Sequence, residues 1–195
     1  MMEKINPEEI RIEKLNEAHE NITKEIKSYE PELVNFLVED ALNQQKRKIS
    51  VTYLWFLRKT NELLGYITLT PDCVKLKNIN PDLCQIFKDK GITYRSLPAL
   101  KIGRLCVDDR FQKRGIGSLM IQFSISKAKI ISQEVGCRFI YLDAKRNKDK
   151  SKDAIHFYKK FGFEMYKEDK GKKKSKETPL YLDIWPYIQE ELTNN

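Results

Sequence analysis

Histidine is nearly absent from this chain: 195 residues hold only His19 and His156. The two have no metal-ligand spacing to other side chains, so a metal site is not expected. The four cysteines, Cys73, Cys84, Cys106 and Cys137, form no Cys-x-x-Cys pair. Cys106 in a strand and Cys137 at a helix end read as small core residues, and a reducing cytoplasm is the expected compartment. No run of 18 apolar residues exists, so no membrane span is expected. The first residues, Met1 to Lys14, are charged and lack the apolar core of a signal peptide. A P-loop ending in Gly-Lys-Ser/Thr is missing, as is the three-glycine dinucleotide fingerprint. No internal repeat is visible.

What is present suits one α/β domain spanning residues 1–195, long enough to bury a sizeable core. The hydrophobic fraction of 41% is ordinary, whereas charged residues at 33% are abundant. A first strand or helix start is expected at Ile10–Leu15. Pro31-Glu32 opens a helix with Leu33, Phe36, Leu37 and Ala41 at helical spacing. Val51–Leu57 and Leu64–Thr70, joined by Thr60-Asn61-Glu62, predict a hairpin. Asn80-Pro81-Asp82 caps a short helix through Lys88 that Gly91 stops. Strands are predicted at Leu100–Val107 and 138–144, with short ones near Phe163–Tyr166 and Leu180–Ile184. Helices are predicted at Ile116–Val135 and from about Asp153 to Lys160. The stripe Ile116, Leu119, Met120 and Phe123 marks the core face of the first of these.

The most informative stretch runs from Val107 to Ser118. An apolar strand ends there and an amphipathic helix begins. Between them lies a basic turn, Gln112-Lys113-Arg114-Gly115-Ile116-Gly117-Ser118. The first N–H groups of a helix lack intrahelical partners, and the helix dipole favours an anion beside them. Gly115 and Gly117 let backbone approach a phosphate where a Cβ would intrude, and Lys113 and Arg114 add positive charge. A pyrophosphate is the natural ligand, although Gln-x-x-Gly-x-Gly alone also suits an ordinary strand–helix turn.

After a strand ending Leu105-Cys106-Val107, this turn resembles the pyrophosphate loop of the GNAT acetyltransferases, which bind acetyl-CoA. Phe139–Ala144 is similar to that fold's fifth strand. Ala154-Ile155-His156-Phe157-Tyr158, continuing to Gly162-Phe163, resembles its Ala-x-x-Phe-Tyr-x-x-x-Gly-Phe helix and turn. The resemblance covers residues 50–185 well. It implies an α/β architecture with a single mixed, mostly antiparallel, splayed sheet flanked by helices. Acetyl-CoA is the implied co-substrate, without a metal. Backbone groups of Leu105, Cys106 and Val107 would hold the pantetheine and acetyl group, and Gln112–Ser118 the pyrophosphate.

In that chemistry an amine attacks the thioester directly, so no nucleophilic side chain is required. The resemblance makes Tyr158 the acid for the leaving thiolate, because a phenol of pKa about 10 keeps its proton at neutral pH. Tyr158 equally suits packing beside Phe157 and Phe161. Asp143 is the candidate base for the amine, with a structural carboxylate as the alternative. His156, two residues before Tyr158, faces another side of the helix.

Gly103-Arg104-Leu105-Cys106-Val107 and Leu142-Asp143-Ala144-Lys145 resemble the Gly-Arg-Leu-x-Val and Val-Asp-Ala-Lys segments of toxin-type acetyltransferases from toxin–antitoxin pairs. An early helix followed by Gln44 or Gln45, then Thr52-Tyr53, is similar too. That branch acetylates the α-amine of aminoacyl-tRNA, and an antitoxin and a homodimer are compatible with it. Residues 71–96 and the lysine-rich stretches 145–152 and 170–176 depart from the short toxin pattern. Residues 145–176 hold 13 Lys/Arg against 5 Asp/Glu, an excess equal to the +8 of the whole chain. Such concentration suits a polyanion such as tRNA, or two solvated loops. A protein N-terminus, a lysine or a small amine is the alternative acceptor, and a non-catalytic nucleic-acid-binding module the alternative function.

Overall fold

A computed structural model describes residues 3–146, 154–167 and 177–193. Most of the two lysine-rich stretches, including Asn147–Lys152 and Lys170–Lys176, lies outside the described residues. The chain divides into two compact units: residues 1–70 with 102–124, and residues 71–101 with 125–195. Seven strands take the order β1-β2-β3-β4-β5-β7-β6: β1 is Ile10–Lys14, β2 Val51–Leu57, β3 Leu63–Lys75, β4 Ser96–Val107, β5 Phe139–Lys145, β6 Glu164–Met165 and β7 Glu177–Asp183. The β1·β2, β2·β3, β5·β7 and β6·β7 pairings are antiparallel.

In the first unit, β2 is the strand its β-branched and aromatic content implies, with Trp55 opposite Ile12 on one side and Gly65 on the other. Thr52 and Thr68 face each other, and their buried hydroxyls hydrogen-bond at 2.8 Å. Leu54 and Phe56 pack with Leu15, Ile26, Phe36, Leu37, Leu63 and Tyr66. Full burial of each such side chain contributes about 1.5–3 kcal/mol. The helices on this core are α1, Glu20–Thr23, α2, Pro31–Asn35, and α3, Ala41–Lys46; a π-helical turn, Phe36–Asp40, joins α2 to α3. Gln45 on α3 accepts from the Thr52 N–H and donates to the Leu15 carbonyl. It therefore ties helix to sheet.

In the second unit, α4, Pro81–Asp89, begins where Asn80 accepts from the Asp82 N–H at 2.9 Å. It stops short of Gly91, whose φ of +72° glycine adopts at no steric cost. Phe87 of α4 packs with Val74, Leu76, Ile79, Ala99, Phe139 and Tyr181. Helix α6, Ala154–Lys159, packs on β5. The long helix α5, Ile116–Glu134, follows the basic turn.

Several elements exceed their sequence signals. Strand β3 continues through Pro71 to Lys75, and β4 starts four residues before Leu100, at Ser96. The closing helix α7, Trp185–Thr193, carries Pro186 in its first turn and Trp185, Ile188 and Leu192 at helical spacing, a signal too short to stand out from the strand before it. Among the described residues, no helix is long and apolar enough to cross a membrane.

Candidate functional site

The basic turn has the geometry its residues imply. Lys113 and Gly115 both take positive φ, 61° and 88°. The Gly115 carbonyl accepts the Leu119 N–H at 3.2 Å, the start of the helical ladder. The N–H groups of Ile116, Gly117 and Ser118 precede it and have no i−4 partner within the helix. They form the donor set an anion requires, at the positive end of a 19-residue helix. Gly115 is needed for its φ, since a Cβ there would meet only Lys4 Cγ, at 4.0 Å. Gly117 sits inside the first helical turn.

The neighbouring side chains have structural duties. Gln112 donates to Asp109 at 2.7 Å. Arg114 donates through Nε to the Glu3 carbonyl at 3.1 Å, and its own carbonyl accepts the Ile5 N–H at 3.1 Å. The N-terminal segment thus braces the turn. Lys113 is exposed and is the cation left to face solvent.

Sequence inspection misses the residue that ties down the segment leading into this turn. Asp108 is 0% exposed. It accepts from the Lys27 N–H, the Arg110 N–H and the Arg110 guanidinium, at 2.9–3.0 Å. Burial opposes its charge, but the Arg110 guanidinium and the Lys27 and Arg110 amides hold its carboxyl below the ordinary 3.8. A depressed folded-state value means the carboxylate contributes stability above pH about 4 and loses it as pH falls through the lower folded value. Asp108→Asn should therefore destabilise by about 2–3 kcal/mol at neutral pH and flatten the acid side of the stability profile. Urea unfolding from pH 3 to 7 measures both; a variant as stable as wild type at pH 7 would assign the charge no role.

Strand β4 carries Leu105 and Val107 half-buried and Cys106 at 3% exposure. Burial pushes the Cys106 thiol up to about 12, against a hydrogen bond from Ser28. A thiol so far from ionisation is no nucleophile at neutral pH. Gly65 permits a close approach here: a Cβ on it would lie 2.2 Å from the Cys106 carbonyl oxygen. The Asp108 N–H donates to the Leu64 carbonyl at 2.9 Å beside it. A glycine in a strand pattern was the available signal for this contact.

In the second unit, Asp143 lies on β5 within a charged cluster. Lys101 Nζ stands 2.7 Å from its Oδ2, and the Tyr141 hydroxyl donates to its Oδ1 at 3.1 Å. Lys101 also lies 3.9 Å from Asp72 and 5.1 Å from the Tyr141 ring centroid. Burial and the Asp143 carboxylate push the Tyr141 hydroxyl well above its ordinary value. Tyr158 lies on α6, 9% exposed, with edge-on rings of Phe157 at 5.1 Å and Phe163 at 5.7 Å. His156 is exposed. Among the described residues, no group of three or more His, Cys, Asp or Glu is placed to hold a metal.

A family model described as an acetyltransferase (GNAT) domain matches residues 50–165. No curated protein sequence matches the chain. Solved structures with the same fold include a tyrosine-to-phenylalanine mutant of KacT, 22% identical, with a TM-score of 0.73 over 94% of this chain and 99% of that one. AtaT complexed with acetyl-methionyl-tRNAfMet is 22% identical, with a TM-score of 0.74 over 95% and 99%. A mutant AtaT toxin bound to the C-terminus of the antitoxin AtaR and acetyl-CoA is 20% identical, with a TM-score of 0.68 over 95% and 99%.

Proposed function

The chain belongs to the GNAT acetyltransferase family, and from that premise we propose that its acceptor is the α-amine of an aminoacyl-tRNA. It is an acetyl-CoA-dependent N-acetyltransferase, and the co-substrate supplies the activated acetyl thioester. The amide trio of Ile116, Gly117 and Ser118 suits the pyrophosphate. Backbone of Leu105, Cys106 and Val107 is assigned to the pantetheine and acetyl group. Tyr158, by its place in the Ala-x-x-Phe-Tyr motif, gives its hydroxyl proton to the sulfur as the C–S bond breaks. The amine nitrogen forms the new C–N bond and releases its proton to water.

The concentration of charge carries the choice of acceptor: the entire +8 excess falls within residues 145–176, on both sides of the helix with Tyr158. The Asp143 cluster supports it. A carboxylate whose two oxygens already meet Lys101 at 2.7 Å and the Tyr141 hydroxyl at 3.1 Å has no oxygen left for the amine, so the acceptor should bring its own neutral amine. An α-amine of pKa about 7.7–8.0 is substantially neutral at cellular pH, whereas a lysine amine near 10.4 is not. The AtaT complex with acetyl-methionyl-tRNAfMet shows that a protein of this fold engages that class of product. An antitoxin, which AtaT has in AtaR, is the partner proposed with it.

Labelled acetyl-CoA offered separately to charged tRNA, peptides and small amines decides the acceptor. Label should appear on charged tRNA, with an apparent affinity that falls steeply with salt, a log–log slope of about 0.7–0.9 per neutralised phosphate. Replacing Lys172, Lys173, Lys174 and Lys176 with Ser should raise KM for tRNA and leave acetyl-CoA binding intact. Label on peptides or small amines alone, or indifference to both salt and these substitutions, rejects the tRNA assignment.

A further inference from the structure

The segment 71–96 lines an open cavity of about 850 Å3, and none of the residues assigned to acetyl transfer is in its lining. It lies within the second unit, between the end of β3, α4 and the strand returning into β4. Its walls are tied together: the Leu76 N–H donates to the Arg95 carbonyl at 3.0 Å, and the Ile92 N–H to the Phe87 carbonyl at 2.8 Å. Lys75, Lys77, Lys88 and Arg95 line it, and none of the lining residues is acidic. Leu76, 6% exposed, and half-buried Ile92 and Cys84 supply an apolar floor. Tyr94, also in the lining, is 73% exposed.

A tyrosine so exposed gains little from the fold, and beside cations its ring is a stacking platform. Cations that follow a phosphate chain, with an aromatic face for a base, are what proteins use to hold single-stranded nucleic acid without reading its sequence. The volume lies in the range of about 300–1,000 Å3 typical of small-ligand sites. An acidic peptide would satisfy the cations but would give the Tyr94 ring no planar partner.

We propose that this cavity is a single-stranded RNA site, in which a base stacks on Tyr94 while flanking phosphates meet Lys88 and Arg95. It takes its biological role from the tRNA acceptor proposed above and would be a second contact for that partner, apart from the lysine-rich stretches.

The test is fluorescence anisotropy with a labelled single-stranded RNA dodecamer and the full chain. Tyr94→Ala should weaken binding about 5- to 150-fold, the worth of one stacked base, and Tyr94→Phe should restore it. The double variant Lys88→Ala/Arg95→Ala should lower the salt slope by about 0.7 for each phosphate released. Unchanged acetyl-CoA affinity by calorimetry certifies the fold of each variant. Wild-type RNA affinity in Tyr94→Ala overturns the site, as does poly-glutamate binding with equal affinity and equal sensitivity to Tyr94→Ala. Label transfer to charged tRNA, read separately, keeps the two proposals apart. Transfer with no effect of Tyr94→Ala on RNA affinity sinks the site alone. Loss of RNA affinity in Tyr94→Ala without any transfer to tRNA in the wild type sinks the acceptor alone.

Discussion

Tyr158→Phe is expected to lower kcat for acetyl transfer by about 10²–10⁴-fold, the usual span for a lost general acid, with acetyl-CoA affinity nearly unchanged. The substitution keeps the ring. Tyr158 is 9% exposed and meets Phe157 and Phe163 edge-on through its ring, and phenylalanine retains those contacts. Only the hydroxyl is removed. In the proposed role the hydroxyl is required only when the thiolate departs, so its interaction belongs to the transition state. Loss of such an interaction lowers kcat and kcat/KM together and leaves ground-state binding alone. Cys106, its thiol raised to about 12 by burial, offers no covalent bypass. Initial rates and calorimetry on the same preparation decide the matter. Near-wild-type kcat would remove Tyr158 from the chemistry and leave water to protonate the sulfur.

The sequence makes the basic turn more legible than its supports. Gln-x-x-Gly-x-Gly between strand and helix is a local pattern, and local hydrogen bonding produces it: Gly115 takes φ +88° and α5 starts at Ile116. The hairpin of β2 and β3 and the Asn80 cap were visible for the same reason. Asp108 was not. Its partner Lys27 lies 81 residues away, and nothing local separates it from exposed Asp109. Gly65 falls in a strand pattern, but the carbonyl it accommodates is that of Cys106, on the neighbouring strand β4, remote in sequence. Asp143 shows the same limit in function. A carboxylate on the fifth strand suggested a base or a structural group; Tyr141, its hydroxyl partner, is local, but Lys101, its ion-pair partner, comes from another strand and is invisible to local pattern. Pattern identifies residues whose role depends on neighbours in sequence; it misses those whose role depends on a partner from another element.

Gly115→Asp is expected to weaken acetyl-CoA binding by about 10²-fold or more. At φ +88° an L residue is strained, but aspartate and asparagine tolerate the left-handed region best, at a cost of about 1–2 kcal/mol. Space is not the obstacle, since the nearest atom to an added Cβ is Lys4 Cγ at 4.0 Å. A carboxylate immediately before Ile116 would sit well with the helix dipole, so thermal stability should fall only slightly. The same charge would oppose the pyrophosphate at the amide trio, and juxtaposed like charges cost several kcal/mol, with each 1.4 kcal/mol a factor of ten. Gly115→Asn separates the two effects, because it shares the backbone strain and lacks the charge. Calorimetric titration of the three proteins should place asparagine close to wild type and aspartate far below it. Equal losses in both variants would shift the cause from electrostatics to backbone, and wild-type affinity in the aspartate variant would mean that the coenzyme's phosphates lie elsewhere.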